Sequence, residues 1–284
     1  MRKLAHTSVS IFKKRIKQIL GKENPVANDR RKLLKLIGVG AALNGSWLLA
    51  ACGGSSSTSS SSASSTGSTT SGGSSTTTTT TTTSGTSGCT LIPSETQGPY
   101  PLLSVLSNTA MVRNVITEDK TGLPLTVILK LVNVNNSCAP ITNASVYLWH
   151  CDKDGVYSGY SQPSINTVGQ TFLRGIWPVD ANGEVTFTTI YPGWYSGRIT
   201  HIHFQVYLNG STSVATVTSQ IAFPQEITQA VYNSALYAAH GQNTSVTSFS
   251  QDNIFSDGTT YQMATLNGDT TNGYTATLTV GISV

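Results

Sequence analysis

The sequence after residue 88 predicts an all-β fold, an antiparallel β-sandwich with one or two short helices. Short runs rich in Val, Ile, Thr and aromatic residues recur along this part of the chain, and several alternate between apolar and polar positions. Turn pairs such as Asn182-Gly183, Asn209-Gly210 and Asn272-Gly273 lie beside these runs, as hairpin connections require. Short strands separated by such turns favour a sandwich or a barrel.

Six strands and one helix can be placed on this part of the sequence. The helix is predicted from Gln225 to Ala239, because apolar residues recur at near-helical spacing after Pro224 and Gly241 follows the segment. The predicted strands are Leu125–Val134, Ala144–His150, Glu184–Ile190, Thr200–Leu208, Val214–Phe223 and Tyr274–Ile282.

Composition divides the chain into three parts. Residues 1–52 carry 11 of the 17 Lys and Arg residues and predict a signal segment. Residues 53–88 are almost entirely Ser, Thr and Gly, which predicts a disordered linker. Residues 89–284 have the size of one domain. The chain after residue 52 has six basic and 11 acidic residues, so we expect no nucleic-acid partner.

The signal segment carries two recognisable motifs. Arg30-Arg31 precedes an apolar run from Leu36 to Ala51 and resembles a twin-arginine signal. The run ends at Cys52 in L-A-A-C, which resembles a bacterial lipoprotein cleavage box. We therefore expect export by the twin-arginine route and a lipid anchor on Cys52, facing the periplasm or the cell surface. The alternative is an uncleaved anchor, but the run is shorter than the ~20 apolar residues that a spanning helix needs.

Three further cysteines are Cys89, Cys138 and Cys151. Export favours disulfides, and an odd number leaves at least one thiol without a partner in the chain. We expect Cys138 to pair with Cys151, because the two flank one predicted strand. The alternative is three buried, reduced cysteines.

The candidate chemistry lies between Trp149 and Phe204. His201 and His203 are one residue apart in a predicted strand, so their side chains point to the same face and could share a metal ion. One H-x-H pair is a weak signal, and two histidines on the solvated face of a strand are the simpler reading. Tyr157 and Tyr195 strengthen the metal reading, because each follows a Gly-containing turn in the same stretch.

The four side chains favour one kind of metal. Phenolate oxygen is a hard anionic donor and imidazole is a borderline one, so two of each suit Fe(III) better than Zn(II), Cu(I) or Mg(II). A free tyrosine has a pKa near 10, and a strongly charged ion would be needed to hold both residues as phenolates.

Several segments together resemble the intradiol ring-cleavage dioxygenases, the family of protocatechuate 3,4-dioxygenase and catechol 1,2-dioxygenase. They are G-P-Y (98–100), V-Y-L-W-H-C-D-K-D-G-V-Y-S-G (146–159), F-L-R-G (172–175), D-A-N-G-E-V-T-F-T-T-I-Y-P-G-W-Y (180–195), R-I-T-H-I-H-F (198–204) and N-T-S-V…D-N-I-F (243–255). The exported single-chain members are the most similar. The match covers most of residues 89–284 and none of the signal segment or linker.

The resemblance implies a β-sandwich with Fe(III) between its sheets, held by Tyr157, Tyr195, His201 and His203. It implies that a catechol-type diol is cleaved with O2 to a cis,cis-muconate-type diacid, without an organic cofactor. Tyr195 would leave the metal and accept a substrate proton. Arg198 would stabilise charge on the ring, whereas its alternative role is an ordinary surface ion pair.

The sequence also departs from the family. The connection from Tyr195 to His201 is shorter than in the protocatechuate and catechol enzymes, and the N-terminal helical region of the catechol enzymes is missing. Both changes are expected to open the pocket. Trp177 and Trp194 would line its opening or pack in the core, and we interpret His150 as a residue that does not bind the metal.

Two other functions are compatible with parts of the sequence. One is a catalytically silent, lipid-anchored sandwich that binds aromatics or glycans. The other is a 2-His-1-carboxylate Fe(II) site that uses Asp152 or Asp154. The loop around Gln97 and Tyr100 is either an ordinary entry loop or part of a pocket lining, for which Tyr100 offers an aromatic face and Gln97 an amide.

Overall fold

The computed structural model describes residues 90–284, in which two larger β-sheets, one small hairpin and one α-helix are formed. The helix α1 spans Gln225–Tyr232. The strands are β1 Pro124–Asn133, β2 Ala139–Pro140, β3 Ala144–Trp149, β4 Ser161–Gln162, β5 Ile165–Asn166, β6 Arg174–Pro178, β7 Glu184–Ile190, β8 His201–Leu208, β9 Val217–Ala222, β10 Thr265–Asp269 and β11 Gly273–Ile282. Three short 3-10 turns cover Leu103–Ser107, Thr109–Met111 and Phe249–Gln251.

The two larger sheets are built around β1 and β3. In the five-stranded sheet, β1 pairs with β11 on one side and with β2 and β7 on the other, while β10 pairs with the outer edge of β11. The four-stranded sheet has the order β6-β3-β8-β9 and is antiparallel throughout. The pairing of β1 with β11 is parallel, so the predicted antiparallel sandwich holds except at this one ladder.

Alternating apolar side chains from both sheets fill the space between them. On β1 the residues Leu125, Val127 and Leu129 are buried, and polar or partly exposed residues separate them. On β8 the residues Ile202 and Phe204 belong to the same apolar core. Full burial of such a side chain stabilises the fold by about 1.5–3 kcal/mol, so this alternation fixes which face of each strand points inward.

All six predicted strands are present, with ends that differ by up to three residues. The predicted helix is shorter than expected and ends at Tyr232. Beyond it the chain continues as turns, because Tyr237 points inward to donate a hydrogen bond to the carbonyl of Tyr191 and accept one from the amide of Leu123. Leu236, one of the apolar residues at near-helical spacing that predicted a longer helix, is exposed. The tertiary hydrogen bonds of Tyr237 thus favour turns over the longer helix that the apolar spacing predicted.

The expected disulfide is wrong. Cys151 is a free thiol, buried in the domain, whereas Cys138 is disulfide-bonded. The two therefore do not pair with each other. Cys151 lies against the carbonyl of Gly193, with its Sγ 3.5 Å from that oxygen.

Several predictions concern the chain before residue 90 and lie outside the described residues. They are the signal segment with Arg30-Arg31 and Cys52, the linker of residues 53–88, and Cys89. Within residues 90–284, no helix combines the length and the apolar character that crossing a membrane requires.

Candidate metal centre

The candidate histidines lie side by side on one face of β8. His201 and His203 are both buried, and Ile202 and Phe204 point the opposite way, into the core between the sheets. The candidate ligands therefore do not lie between the two sheets, and that expectation is wrong because apolar side chains fill this space. They lie on the other face of the four-stranded sheet, where the indole of Trp149 stacks on His203 with ring centroids 4.8 Å apart.

The two imidazoles face each other through one nitrogen each. Nε2 of His201 and Nε2 of His203 are 3.0 Å apart. Nδ1 of His201 donates to the carbonyl of Ile199, 2.6 Å away, so Nε2 of this ring carries the lone pair. Two nitrogen ligands ~2.1 Å from one metal ion, at about a right angle, also lie about 3.0 Å apart. The spacing suits a shared ion.

Both rings are neutral in the folded protein. Burial, together with the positive charge of Arg198, lowers the pKa of His201 to about 3. Burial and the neighbouring His201 lower the pKa of His203 well below its usual value. Neutral imidazole is the form that binds metal ions.

The two tyrosines sit on loops that glycine allows to pack closely together. Gly155 has a φ of 81°, and a Cβ at this position would lie 2.1 Å from a backbone oxygen of the loop that carries Tyr195. At Gly193 a Cβ would lie 2.4 Å from a backbone oxygen of the loop that carries Tyr157. Any larger residue would push the loops apart. This contact brings the two phenol rings to a centroid separation of 5.6 Å.

The phenols border the histidine pair. The Tyr195 hydroxyl is 3.4 Å from Nε2 of His201, and the Tyr157 ring lies 6.3 Å from the ring of His203. The hydroxyl of Tyr157 is buried without a hydrogen-bond partner. Leaving such a group unpartnered costs about 1–3 kcal/mol, which indicates that the cluster is built to hold a further group.

Burial opposes ionisation of both phenols. It raises the pKa of Tyr195 to about 12, although the charge of Arg198 acts in the opposite direction. Burial and the neighbouring Tyr195 raise the pKa of Tyr157 well above its usual value. A phenolate at either position therefore needs a cation beside it. Two phenols and two neutral imidazoles around one point fit a hard, highly charged metal ion such as Fe(III).

Arg198 reaches the same cluster from the loop before β8. Its side chain is buried, and Nη1 lies 3.4 Å from Nε2 of His201. Nε donates to the carboxylate of Asp252 at 2.9 Å, and Nη2 donates to the amide oxygen of Gln220 at 2.6 Å. Asn243 donates to the Arg198 carbonyl at 2.8 Å. The alternative role of Arg198 in a surface ion pair is wrong, because the guanidinium is held inside the domain.

The partners of Arg198 were not predicted from the sequence. Gln220 is a buried amide in β9, and the register pairs it with His203, so it shares the histidine face. A polar residue between buried neighbours of a predicted strand was the only signal for it. Asp252 lies far along the chain in a loop, and only its place in the segment D-N-I-F drew attention to it.

Other predicted residues lie around the cluster. Tyr100 stacks on Tyr157 with ring centroids 4.7 Å apart, and therefore lines the site. Trp177 and Trp194 are partly buried and pack against the main core. His150 is buried and bonds to Thr189 and to the Cys151 carbonyl, away from the cluster, as expected for a residue that is not a ligand.

The alternative site with a carboxylate ligand is wrong. Within residues 90–284, no group of three or more His, Cys, Asp or Glu side chains is placed to hold a metal ion. Asp152 instead accepts hydrogen bonds from the amides of Asp154 and Val156, and thereby closes the turn before Tyr157. Asp154 is exposed and forms an ion pair with Lys153.

A family model agrees with this combination of sandwich fold and Tyr/His cluster. The model Dioxygenase_C, described as a dioxygenase, matches residues 97–267, which include all four candidate ligands and Arg198. The fold and the match together define a dioxygenase of the β-sandwich type. The chain belongs to the intradiol ring-cleavage dioxygenases and is such an enzyme.

Solved structures support the same family. The intradiol ring-cleavage dioxygenase from Tetranychus urticae is 29% identical, with a TM-score of 0.60, and the alignment covers 69% of this chain and 95% of that one. The dioxygenase Tetur07g02040 is 28% identical, with a TM-score of 0.59 and the same coverages of 69% and 95%. No curated protein matches the chain. The family generally uses non-haem iron and acts on catechol-type substrates with O2.

Proposed function

We propose that the protein is a non-haem Fe(III) enzyme that cleaves a catechol between its two hydroxylated carbons, using O2 and giving a cis,cis-muconate-type diacid. Both oxygen atoms enter the product, so no reductant and no organic cofactor are needed. Tyr157, Tyr195, His201 and His203 would hold the iron. The observation that carries the proposal is the convergence of these side chains, with Nε2 of His201 and Nε2 of His203 3.0 Å apart and the Tyr157 hydroxyl buried without a partner.

When bound, Fe(III) would act as a Lewis acid that makes the catechol hydroxyls more acidic. The protein's own residues would then manage the proton and the charge. Tyr195 is the less buried of the two tyrosines and borders His201, so its phenolate oxygen would accept a proton from a substrate hydroxyl. Tyr157 is fully buried and would stay in place.

Arg198 would stabilise negative charge that develops on the ring. Its guanidinium is oriented by Asp252 and Gln220 before any substrate arrives, so little reorganisation is needed during the reaction. Tyr100, which stacks on Tyr157, would form one wall of the slot for the substrate ring. A silent binding module is not proposed, because such a module has no need for two tyrosinates beside an oriented arginine.

The test uses the purified full chain and Tyr195→Phe. We expect the wild-type protein to contain iron, to be red-brown from tyrosinate-to-iron charge transfer, and to show high-spin Fe(III) in electron paramagnetic resonance. With catechol, oxygen uptake should match the diacid formed. The variant should show a shifted absorption band and a loss of turnover. A folded, colourless, iron-free wild-type protein that does not cleave catechol would contradict the proposal.

We also propose that the enzyme is exported by the twin-arginine route and anchored through a lipidated Cys52. The motifs around Arg30-Arg31 and Cys52 support this, and a route that exports folded proteins would allow iron loading inside the cell. Radiolabelled fatty acid should appear on the wild-type chain and not on Cys52→Ala. Replacing both Arg30 and Arg31 by Lys should retain the chain inside the cell, and unaltered export of that variant would contradict the route.

A further inference from the structure

The domain has few positive charges, and most are already engaged. Residues 90–284 contain six Lys and Arg side chains and 11 Asp and Glu, which leaves five negative charges in excess. Four of the six basic side chains form ion pairs that include no residue of the Tyr/His cluster. These pairs are Arg113–Glu118, Lys120–Asp152, Lys130–Glu184 and Lys153–Asp154.

Arg174 is the fifth basic side chain, and it lies inside the fold. Its guanidinium is fully buried and donates to the side chain and carbonyl of Ser158, to the carbonyl of Tyr100 and to the hydroxyl of Tyr147. These bonds tie together the chain segments that carry Tyr100 and Tyr157. In the proposed iron-bound form its charge would lie near the phenolate of Tyr157, since the guanidinium carbon is 5.8 Å from the centroid of the Tyr157 ring.

Arg198 is the sixth, and its charge is already compensated. Its guanidinium forms an ion pair with the carboxylate of Asp252, and Nη2 donates a hydrogen bond to the side-chain oxygen of Gln220. The free edge of Arg198 faces His201. Arg198 is thus committed to charge on the substrate ring beside His201, and no other basic side chain of residues 90–284 is left to pair with an anionic substituent.

The proposed substrate slot is bordered by aromatic rings. The Tyr100 ring lies 4.7 Å from Tyr157, 5.1 Å from Tyr160 and 6.3 Å from Tyr195, measured between centroids. A carboxylate placed among these rings would lose water and gain no cation in return, which is costly. The hydroxyls and amides nearby, such as that of Gln97, can pair with neutral polar substituents instead.

We propose that the site selects catechols without an anionic substituent and discriminates against carboxylated ones such as 3,4-dihydroxybenzoate. The inference rests on the proposed dioxygenase function and deepens it by naming the substrate class. It follows from the count of engaged cations, the excess of acidic residues and the aromatic slot.

The experiment compares 3,4-dihydroxybenzoate with 3,4-dihydroxybenzamide, a neutral analogue of nearly the same shape. Iron-loaded full chain is assayed by oxygen uptake, and dissociation constants are measured by anaerobic calorimetric titration. We expect kcat/KM for the acid to be at least about tenfold lower than for the amide, with weaker binding, because the carboxylate is repelled by the excess negative charge of the domain and loses its water. The electronic effect of the substituent alone would make the acid react faster, since a carboxylate is less electron-withdrawing than an amide.

Ionic strength gives a second readout. Salt screens charge repulsion over a Debye length of about 10 Å at 0.1 M and ~3 Å at 1 M. The kcat/KM for the acid should therefore rise with salt, while that for the amide stays flat. A cationic anchor for the carboxylate would produce a fall instead.

Gln97→Lys tests the cause directly. The Gln97 side chain contacts Gln205, which lies on the same strand face as the histidines, through one long hydrogen bond of 3.5 Å. A lysine here should raise the acid-to-amide ratio of kcat/KM about tenfold, whereas Gln97→Met, of similar length and uncharged, should not.

Three results would overturn the inference: an acid that reacts as well as the amide in the wild type, a kcat/KM for the acid that falls with salt, or a ratio that Gln97→Lys leaves unchanged. Failure of all three neutral compounds tested, the amide, catechol and hydroxyquinol, would instead count against the dioxygenase function itself.

Discussion

The carboxylate of Asp252 holds the guanidinium of Arg198 in place across 54 residues of sequence. One oxygen accepts from Nε of Arg198 at 2.9 Å and from the amide of Ile199 at 2.7 Å. The other accepts from the amides of Ile254 and Phe255. These four bonds fix the loop before β8 and, through it, the side chain that faces His201.

Asp252→Asn should weaken both folding and catalysis. The amide cannot accept four hydrogen bonds as the carboxylate does, and Arg198 would be left as an unpaired buried charge. We expect the free energy of unfolding to fall by about 3–5 kcal/mol in urea denaturation, and kcat/KM to fall with kcat rather than with KM. Asp154→Asn, in an exposed ion pair with Lys153, is the matched control and should cost less than about 1 kcal/mol. Equal effects of the two variants would contradict this assignment.

Tyr157→Phe should separate stability from metal binding. Its hydroxyl has no hydrogen-bond partner, so in iron-free protein its removal should leave the free energy of unfolding unchanged or raise it by about 1–2 kcal/mol. The same change should reduce the bound iron per chain. Tyr237→Phe is the contrast, because its hydroxyl bonds to Tyr191 and Leu123 and its loss should cost about 1–3 kcal/mol. Urea denaturation and iron analysis test both, and a clear destabilisation by Tyr157→Phe would argue against a hydroxyl reserved for metal.

His150 should make the fold sensitive to acid. Burial lowers the pKa of this histidine to about 4, from a usual value of 6.5. Between pH 6.5 and 4, His150 is mostly protonated in the unfolded chain and mostly neutral in the folded protein. The contribution of His150 to the free energy of unfolding should therefore decline by about 3 kcal/mol as the pH falls from 6.5 to 4. Urea denaturation of iron-free wild type and His150→Asn should show a weaker pH dependence in the variant, and parallel curves would be inconsistent with a buried neutral histidine.

Cys151 should be unreactive until the domain unfolds. The thiol is buried, and burial together with the charge of Asp152 raises its pKa, so little thiolate forms at neutral pH. Iodoacetamide at pH 8 should leave the Cys151 peptide unmodified in native protein and modify it fully in urea, as read by mass spectrometry. Rapid modification of the native protein would mean that this region opens readily.

The local features of the site could be predicted from sequence, because they depend on short spacings. The pair His201 and His203 occupies one face of a strand by geometry alone, and Tyr157 and Tyr195 follow turn glycines a few residues away. The β1–β11 ladder could not be foreseen, since it joins distant strands in parallel. Short strands such as β6 and β10 carry too few residues to show a period.

The residues that position the charged side chains of the site were harder to predict, for a physical reason. Asp252, Gln220 and Arg174 act through tertiary contacts, and their sequence neighbourhoods carry no sign of the charges that they meet. The predicted disulfide between Cys138 and Cys151 was wrong for a similar reason. Two cysteines that flank the same strand in sequence need not have side chains close enough to bond. Which face of the four-stranded sheet holds the histidines also depended on how the two sheets pack.

The close contact between the loops at Gly155 and Gly193 has a consequence for protein engineering. Each loop presses its backbone against a position where the other has no side chain, so the two behave as one interlocked part. Widening the pocket by altering either loop would displace both phenols together. A designer who wishes to admit larger rings should therefore replace the side chains of Gln97 and Tyr100, because Arg174 holds only the backbone carbonyl of Tyr100 and the contact between the two glycine loops is left intact.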